Sequence, residues 1–283
     1  RRHIKELKPT SIFDLQAMVA LYRPGPMANI PEFIKRKHNP TLIKYPDPRL
    51  SDILKESYGV ITFQDDVLLT AIKVAGYSWA DADKLRYAIG KKIPSEMKKQ
   101  HDKFIEGCKF NGMTKDNAES LWIMFEPFAG YGFNKAHAAG YATIAYQTAY
   151  LKANYPVEFM TALLTAESRG TTGPTKNEKI AQAVAECKRL KIKVLPPHIN
   201  KSADDFTIED KKHIRFGLSA IKNIGTAAIK SILTGRNDGL FRDLTDFCKR
   251  IDLGPVNKKT LESLIKAGAL DSFGNRASLL ISY

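Results

Sequence analysis

Hydrophobic residues recur at helical spacing along most of the chain, and prolines and glycines divide them into segments. The first segment, Ile4 to Leu21, must end at Tyr22–Pro26, because a helix cannot continue through Pro-Gly-Pro. Farther along, Ser78 and Thr114 are predicted to be helix N-caps, and Gly90 is predicted to end a helix. Further helices are predicted over 50–59, 60–75, 79–89, 94–111, 115–125, 134–154, from 156 onward and over 180–190.

The pattern changes after Arg169 to Thr175, a segment of glycine, threonine and proline that is the best candidate for a linker. Val194 to Pro197 is predicted to be a short strand that leads into a turn, and 206–208 with 213–216 a β-hairpin. Short helices separated by glycines follow. The chain is therefore predicted to be mainly α, with a large helical domain followed by a small α-rich module that carries a minor β-hairpin.

The charge of the chain narrows the possible functions. Its 283 residues include 44 Lys and Arg against 30 Asp and Glu, for a formal net charge of +14. This excess favours a polyanionic partner such as nucleic acid, a nucleotide or an anionic membrane surface, with a generic basic protein as the alternative. No apolar run reaches the roughly 18 residues of a membrane span, and no signal peptide opens the chain.

Two further features are the first residue of the chain and its cysteines. It begins without methionine, which suggests an excised fragment. Its cysteines, Cys108, Cys187 and Cys248, are far apart and form no CxxC pair. Reduced thiols in a cytoplasmic protein are therefore expected, rather than a disulfide framework or a zinc site.

The run from Phe128 to Ala142 contains the strongest chemical pattern, a glycine-rich turn that leads into a helix. If Asn134 is near the helix start, His137 and Tyr141 lie on the same side as Asn134. Exposed amides at the helix start and the charge of Lys135 would favour an anion, so the group suits a nucleotide phosphate or base. The alternative is that His137 and Tyr141 are core residues of an amphipathic helix.

A second candidate is the basic segment from Asp83 to Lys92. Periodicity places Arg86 between Trp79 and Ala82 on the apolar side of its helix, where a guanidinium needs an anionic partner. Lys91 and Lys92 extend this cationic site. From position 84 to 115 there are nine Lys or Arg against three acids, and most of those lysines suit a solvated helix face.

Between Leu218 and Leu233, two short apolar helices are predicted to flank a tight Asn223–Gly225 turn. Amides at the start of the second helix can hold a DNA phosphate without reading base sequence. Lys258 to Phe273 is a second candidate hairpin, and an ordinary helical hairpin is the alternative in both places. The predicted DNA contacts are Lys222, Asn223, Gly225, Thr226, Lys230, Lys266 and Gly268.

Three carboxylate pairs raise the question of a catalytic metal. Asp65-Asp66 lie in a predicted helix and point in different directions, and the dipole of a first helical turn explains Asp81 and Asp83. Asp204-Asp205 precede a short strand. The sequence therefore predicts no catalytic residue and no metal site in this chain, and it shows no convincing Ser-His-Asp or Walker pattern.

Together these segments resemble the alpha-subunit family of bacterial DNA polymerase III, a C-family replicative polymerase. The matching runs occur in the order and spacing of that family and cover essentially the whole chain. They are Ala17–Pro26, Tyr58–Asp66, Leu85–Lys92, Phe128–Ala142, Tyr146–Met160, Val194–Asn200 and Phe216–Lys222.

The resemblance implies a palm exit segment at 1–25, a fingers domain at 26–167, and a linker with a tandem helix-hairpin-helix region at 168–283. It implies binding of an incoming dNTP and of primer–template DNA for nucleotidyl transfer, in the bacterial cytoplasm at the replication fork. The family's magnesium-binding aspartates lie in the palm, outside this chain, so the chain alone is expected to hold no Mg²⁺ and not to polymerise. The sliding clamp and other replisome subunits are expected to bind through other absent regions, and no membrane is involved.

The resemblance also assigns the nucleotide contacts, with two departures from the family pattern. Tyr87 stands where the family often has a second arginine, and Asn223 replaces the first glycine of the hairpin turn, which asparagine tolerates. The predicted dNTP contacts are Arg86, Lys91, Lys92, Asn134, Lys135, His137 and Tyr141.

Two rival functions remain. One is a stand-alone DNA-binding protein that uses its hairpins, and the other is an enzyme complete within these residues, such as a nuclease or lyase.

Overall fold

The computed structural model describes residues 2–91, 93–125, 132–170 and 174–282. The chain divides into two compact units, Arg1–Thr148 and Ala149–Tyr283. Both units are built mainly from helices, and the described strands form a small sheet in the second unit. The predicted fold class, mainly α with a minor β-hairpin, is confirmed. Among the described residues, no helix has the length and apolar content needed to cross a membrane.

The first unit contains helices α1 to α8 and most of α9, which continues past Thr148 into the second unit. Their bounds are α1 (Arg2–Leu7), α2 (Ile12–Leu21), α3 (Ile30–His38), α4 (Ser51–Leu54), α5 (Gln64–Ala75), α6 (Trp79–Lys91), α7 (Pro94–Phe110), α8 (Lys115–Ile123) and α9 (Lys135–Asn154). Short 3-10 helices lie between α2 and α5 at Pro26–Asn29, Pro40–Leu42, Pro48–Leu50 and Lys55–Ser57. The helix predicted over 50–59 is therefore shorter than expected, since α4 is flanked by 3-10 turns on both sides.

The predicted helix over 4–21 is two helices, α1 and α2. The chain breaks at Lys8, which has a left-handed φ of 47° just before a proline. The second helix then starts with a capping box, because the amide of Asp14 donates to Ser11 Oγ and the Asp14 carboxylate accepts from the amide of Ser11. Tyr58 Oη donates to the same buried carboxylate at 2.7 Å, which ties α2 to the turn before α5.

The predicted helix over 60–75 begins only at Gln64. The preceding residues are not helical because their amides have another partner, the buried carboxylate of Asp66. This carboxylate accepts hydrogen bonds from the amides of Thr62 at 2.9 Å and Phe63 at 2.8 Å. The acidic side chain at the third position of α5 thus accepts hydrogen bonds from the backbone amides just before the helix and fixes where the helix begins.

Both predicted N-caps are confirmed, at Ser78 and Thr114. Ser78 Oγ accepts from the amide of Asp81 at 3.1 Å, and Thr114 Oγ1 accepts from the amide of Asn117 at 3.3 Å. The predicted helix end at Gly90 is wrong, since α6 continues to Lys91. Glycine weakens a helix by only about 1 kcal/mol relative to alanine, and the rest of α6 outweighs this cost.

One core cluster of the first unit lies among α5, α6, α7 and α8, and another lies among α1, α2 and α3. The ring of the fully buried Phe104 lies 5.5 Å from that of Trp122 and 5.2 Å from that of Phe125. Gly107 lets α7 approach α5 closely, because a Cβ atom there would lie 2.1 Å from the carbonyl oxygen of Ala75. Side chains of α6, which carries the predicted cationic site, pack in the same core against α5.

The second unit combines helices with a small sheet. After α9 come α10 (Pro156–Gly170), α11 (Pro174–Arg189), α12 (Thr226–Gly235), α13 (Leu244–Arg250), α14 (Lys258–Ala267) and α15 (Arg276–Ile281). The strands are β1 (Lys193–Leu195), β2 (Thr207–Asp210) and β3 (His213–Arg215), in the order β1-β3-β2. β2 and β3 form the predicted hairpin, and β1 pairs in parallel with β3. One core cluster packs β3 against α10 and α11, and another joins α12, α13 and α14.

The linker predicted over Arg169 to Thr175 is wrong at both of its ends. Arg169 and Gly170 end α10, and α11 begins at Pro174, where the first helical turn tolerates proline. Residues 171–173 lie outside the described residues. Arg169 Nε donates to Asp205 Oδ1 at 2.8 Å, so the end of α10 is held to the segment before β2.

Candidate functional site

The start of α9 brings three of the predicted nucleotide contacts together. Asn134 precedes the helix, and its Oδ1 accepts a hydrogen bond from the amide of His137 at 2.9 Å. The rings of His137 and Tyr141 are in edge contact, with 4.6 Å between centroids, and both side chains are exposed. Ala138 and Ala142 form the buried side of this helix. The alternative interpretation of His137 and Tyr141 as core residues is therefore wrong.

Lys135, the first residue of α9, has acidic groups on two sides. Its Nζ lies 3.1 Å from Glu56 Oε2, and its amide donates to Asp65 Oδ2 at 3.2 Å. The ammonium also lies 5.6 Å from the ring centroid of Phe63. The expectation that this helix start offers free amides to an anion is wrong for the amide of Lys135, because a carboxylate of the chain is already there. A nucleotide phosphate would have to compete with these carboxylates.

Arg86 occupies a half-buried position on α6 rather than the apolar side. Its side chain is 41% exposed, and its Nε donates to Asp83 Oδ1 at 2.7 Å. Trp79, which was expected on the same apolar side, is 68% exposed. The prediction is wrong because the buried side of α6 is centred on Leu85 and Ile89, which leaves positions 79 and 86 at its edge. The buried side of α6 consists of Ala82, Leu85, Ala88 and Ile89.

A small pocket connects Arg86 to the segment that precedes α9. The backbone amide of Gln64 donates to the carbonyl oxygen of Phe133 at 3.0 Å, which holds that segment against the start of α5. Lys91 is exposed at the end of α6, whereas Lys92 and residues 128–131 lie outside the described residues. The pocket is lined by Gln64, Val67, Leu68, Arg86, Ile89, Gly90 and Gly132.

The carboxylate pairs are engaged in local structure. Asp66 accepts from backbone amides, and burial raises its pKa to about 6 although those amides and Lys135 act in the opposite direction. Hydrogen bonds from Lys103 and Ser78 lower the pKa of Asp81 to about 2. Asp204-Asp205 pair with Arg169. Within the described ranges, no group of three or more His, Cys, Asp and Glu side chains could hold a metal ion.

The turn before α12 has the geometry that the hairpin prediction requires. Asn223 has a left-handed φ of 65°, and Ile224 is buried beneath the turn. Asn223 Nδ2 donates to Ser263 Oγ at 3.1 Å, and its carbonyl oxygen accepts from Thr260 Oγ1 at 3.2 Å, so α14 supports the turn. The first predicted helix is only a 3-10 turn, Leu218–Ala220. The predicted contacts at this turn are all exposed, namely Lys222, Asn223, Gly225, Thr226 and Lys230.

Lys266 and Gly268 lie in a different local setting. Gly268 ends α14 with a left-handed φ of 84°, and Lys266 pairs with Glu262 one turn earlier. Free amides favour phosphate at a helix start, whereas a helix end presents carbonyl groups. Gly268 is therefore not the structural equivalent of Gly225, and the DNA contact assigned to this pair stays a prediction.

Sequence reasoning missed Lys259 at the start of α14. Its side chain is exposed, and it lines the same open groove as Lys222 and Lys266. The signal was present, because Asn257 comes two residues after the pair Gly254-Pro255 and caps α14 by accepting from the amide of Thr260 at 3.1 Å. Recognising α14 as one helix would have placed Lys259 in its first turn.

Two parts of the chain match family models. Residues 1–112 match the bacterial DNA polymerase III alpha subunit finger domain, and residues 191–279 match a helix-hairpin-helix motif. The fold and these matches define a polymerase finger domain followed by a helix-hairpin-helix region.

Curated relatives named DNA polymerase III subunit alpha align with nearly the whole chain. The protein from Thermus aquaticus is 46% identical over 99% of this chain and 23% of its own length. Those from Pseudomonas aeruginosa and Vibrio cholerae are both 45% identical, over 96% and 99% of this chain and 23% and 24% of their own lengths. The chain belongs to the bacterial DNA polymerase III alpha-subunit family. It spans about a quarter of the length of the relatives it matches.

Proposed function

We propose that this chain is the fingers and duplex-binding portion of a bacterial replicative DNA polymerase. The parent protein is a DNA-directed DNA polymerase of the cytoplasm, and its sliding clamp and other replisome partners bind outside this chain. The palm exit segment is 1–25, the fingers are 26–167, and the linker with the helix-hairpin-helix region is 168–283. The boundary between the two compact units, at Thr148, falls within the range proposed for the fingers.

The observation that carries the proposal is the exposed turn at the start of α12. Asn223 has a left-handed φ of 65°, the residues that begin α12, Gly225 and Thr226, are exposed, and the N-cap residue Gly225 makes no side-chain cap hydrogen bond. Lys222 and Lys230 add positive charge beside this helix start. Such an arrangement binds a phosphate of the DNA backbone and makes no contact with base edges, which suits a polymerase that moves along any sequence.

The proposal for the nucleotide rests on the exposed groups at the start of α9 and on α6. Arg86 and Lys135 supply positive charge to the triphosphate, while Asn134, His137 and Tyr141 surround the nucleotide. The contacts with Asp83 and Glu56 hold the two cations when no nucleotide is bound, and the triphosphate replaces these acidic partners. Cations positioned in this way stabilise the charge that develops on the triphosphate during transfer.

Template-directed nucleotidyl transfer of this kind uses magnesium ions. The described residues do not fit such a site, because the aspartate pairs bind backbone amides or cationic side chains of the same chain. We assign the metal to palm residues outside this chain, and no step of the proposed function uses a carboxylate of this chain.

Titration of labelled primer–template DNA with the purified chain tests the DNA half of the proposal. Binding should weaken steeply with salt, because the lysines release counterions from the phosphates. Lys222→Ala and Lys230→Ala should each weaken binding of all sequences alike and lower the slope of log K against log salt by about 1. Fluorescence anisotropy at several salt concentrations measures both effects.

Lys211→Ala is the matched control. It removes one exposed lysine from the hairpin between β2 and β3, and this lysine is not among the residues proposed to contact DNA. Its salt slope should equal that of the unaltered chain. Absence of DNA binding at low salt, or an equal loss of slope in all three variants, would remove the role proposed for this turn.

A further inference from the structure

The central part of α9 is exposed on every side. All residues from 143 to 150 are exposed, including Ile144, Tyr146 and Tyr150. A helix has 3.6 residues per turn, so these positions sample the whole circumference. This stretch has no buried face, although the start of the same helix is anchored by Ala138 and Ala142.

The composition of this stretch does not suit exposure to water. From Ala136 to Leu151 the helix contains no Asp, Glu, Lys or Arg, although such residues make up 26% of the whole chain. A helix that crosses solvent is normally polar all round and carries charged pairs, whereas one that is apolar all round is buried. Exposed single apolar residues are common, but a continuous uncharged helix with exposed isoleucine and tyrosines is not.

We infer that residues 143–150 of α9 form an interface, covered in the full-length protein by polypeptide outside residues 1–283. The inference rests on the proposal that this chain is part of a longer polymerase. The relatives are long enough to contain such additional polypeptide, since the part that aligns with this chain is only 23% of the length of the Thermus aquaticus protein.

Other occupants fit the surface less well. DNA binding requires cations, and this stretch has none. A second copy of the chain would cover one side of about 12 Å of helix, too little for the roughly 1,200 Å² that a stable interface buries, and would leave the other sides bare. A polypeptide that surrounds the helix covers all of its faces.

Thiol labelling of Ile144→Cys tests this inference, with Ile123→Cys as a matched control. Ile144 and Ile123 are 59% and 58% exposed, and Ile123 lies on α8, which carries Lys115, Asp116 and Glu119. Cys248→Ser removes the half-buried native cysteine, while Cys108 and Cys187 are buried. Maleimide reaction rates are measured in this chain and in the full-length protein.

The two introduced thiols should react at similar rates in the isolated chain. In the full-length protein, the thiol from Ile144→Cys should react more slowly by a factor of about ten or greater. The thiol from Ile123→Cys should keep its rate. Equal rates at the two positions in the full-length protein would overturn the inference. Protection in the isolated chain by primer–template DNA or by raised protein concentration would also overturn it, in favour of DNA or a second copy. Failure of the proposed function would appear separately, in the DNA titration of the isolated chain.

Discussion

Single residues of the proposed nucleotide site are held by acidic neighbours. Arg86 binds Asp83 and Lys135 binds Glu56, so each cation has a defined position without a ligand. These side chains are partly exposed, and exposed pairs contribute little to folding, typically less than about 1 kcal/mol. Exchange of either carboxylate for a triphosphate is therefore energetically accessible.

Arg86→Ala or Lys135→Ala in the full-length polymerase should reduce nucleotide incorporation more than DNA binding. Loss of a charge-assisted contact costs roughly 1.5–3 kcal/mol, which corresponds to about tenfold or more in incorporation efficiency. Single-turnover incorporation is measured beside a melting curve. Asp83→Asn is the control, because it removes the partner of Arg86 and keeps the cation. A lowered melting temperature with normal incorporation would show that these cations only stabilise the fold.

His101 provides a pH-dependent contact between α7 and α8. Its Nε2 lies 2.9 Å from Glu119 Oε2 and its Nδ1 lies 3.0 Å from Asp102 Oδ1. The hydrogen bond with Glu119, and then that with Asp102, raise the pKa of His101, while burial acts in the opposite direction. The protonated imidazolium thus joins two carboxylates in the folded chain.

The free energy of unfolding should therefore include a contribution from His101 that is fully present below the unfolded-state pKa of about 6.5. This contribution is lost as pH rises through the higher pKa of the folded state. His101→Gln should flatten this part of the pH dependence, and Glu119→Gln should reduce it. Urea denaturation of the chain at a series of pH values measures the change. An unaltered pH dependence in His101→Gln would contradict this role.

Two helical glycines differ in the space around them, so replacing each by alanine is expected to change the stability of the chain in opposite directions. A Cβ at Gly107 would lie 2.1 Å from the carbonyl oxygen of Ala75, whereas a Cβ at Gly140 meets nothing within 4 Å. Gly107→Ala should destabilise the chain by about 1–3 kcal/mol or more, because α5 and α7 must separate. Gly140→Ala should stabilise it by about 0.5–1 kcal/mol, through the better helix propensity of alanine. Denaturant unfolding of both variants compares them directly, and equal effects would show that the close approach of α5 and α7 is not rigid.

At the scale of the whole chain, the residues proposed to contact the nucleotide and the DNA are present. The described residues contain no group of three or more His, Cys, Asp and Glu side chains that could hold a metal ion. We expect no primer extension by the purified chain with magnesium and all four deoxynucleotides, because the proposed catalytic aspartates lie elsewhere in the parent. The full-length polymerase under the same conditions serves as the positive control. Extension that co-elutes with the chain through rigorous purification would overturn the domain assignment.

Part of the candidate site was predictable from local sequence. The asparagine at 223 before Ile-Gly predicted a turn, and its φ of 65° confirms the left-handed conformation. The order Asn134, His137, Tyr141 predicted side chains on one side of a helix, and the two rings are in contact. The half-exposed position of Arg86 was not predicted, because the way α6 packs buries Leu85 and Ile89 and leaves Arg86 at the edge of that face.

The sequence by itself determined the mainly α fold, the N-caps at Ser78 and Thr114 and the hairpin of β2 and β3, because these depend on residues within a few positions of one another. Only the tertiary structure decided which groups the site residues bind. Asp65 accepts from the amide of Lys135, 70 positions away, and Lys259 joins Lys222 in one groove. Contacts between residues so far apart depend on how the helices pack, and hydrophobic periodicity specifies which face is buried but not which side chain of another helix it meets.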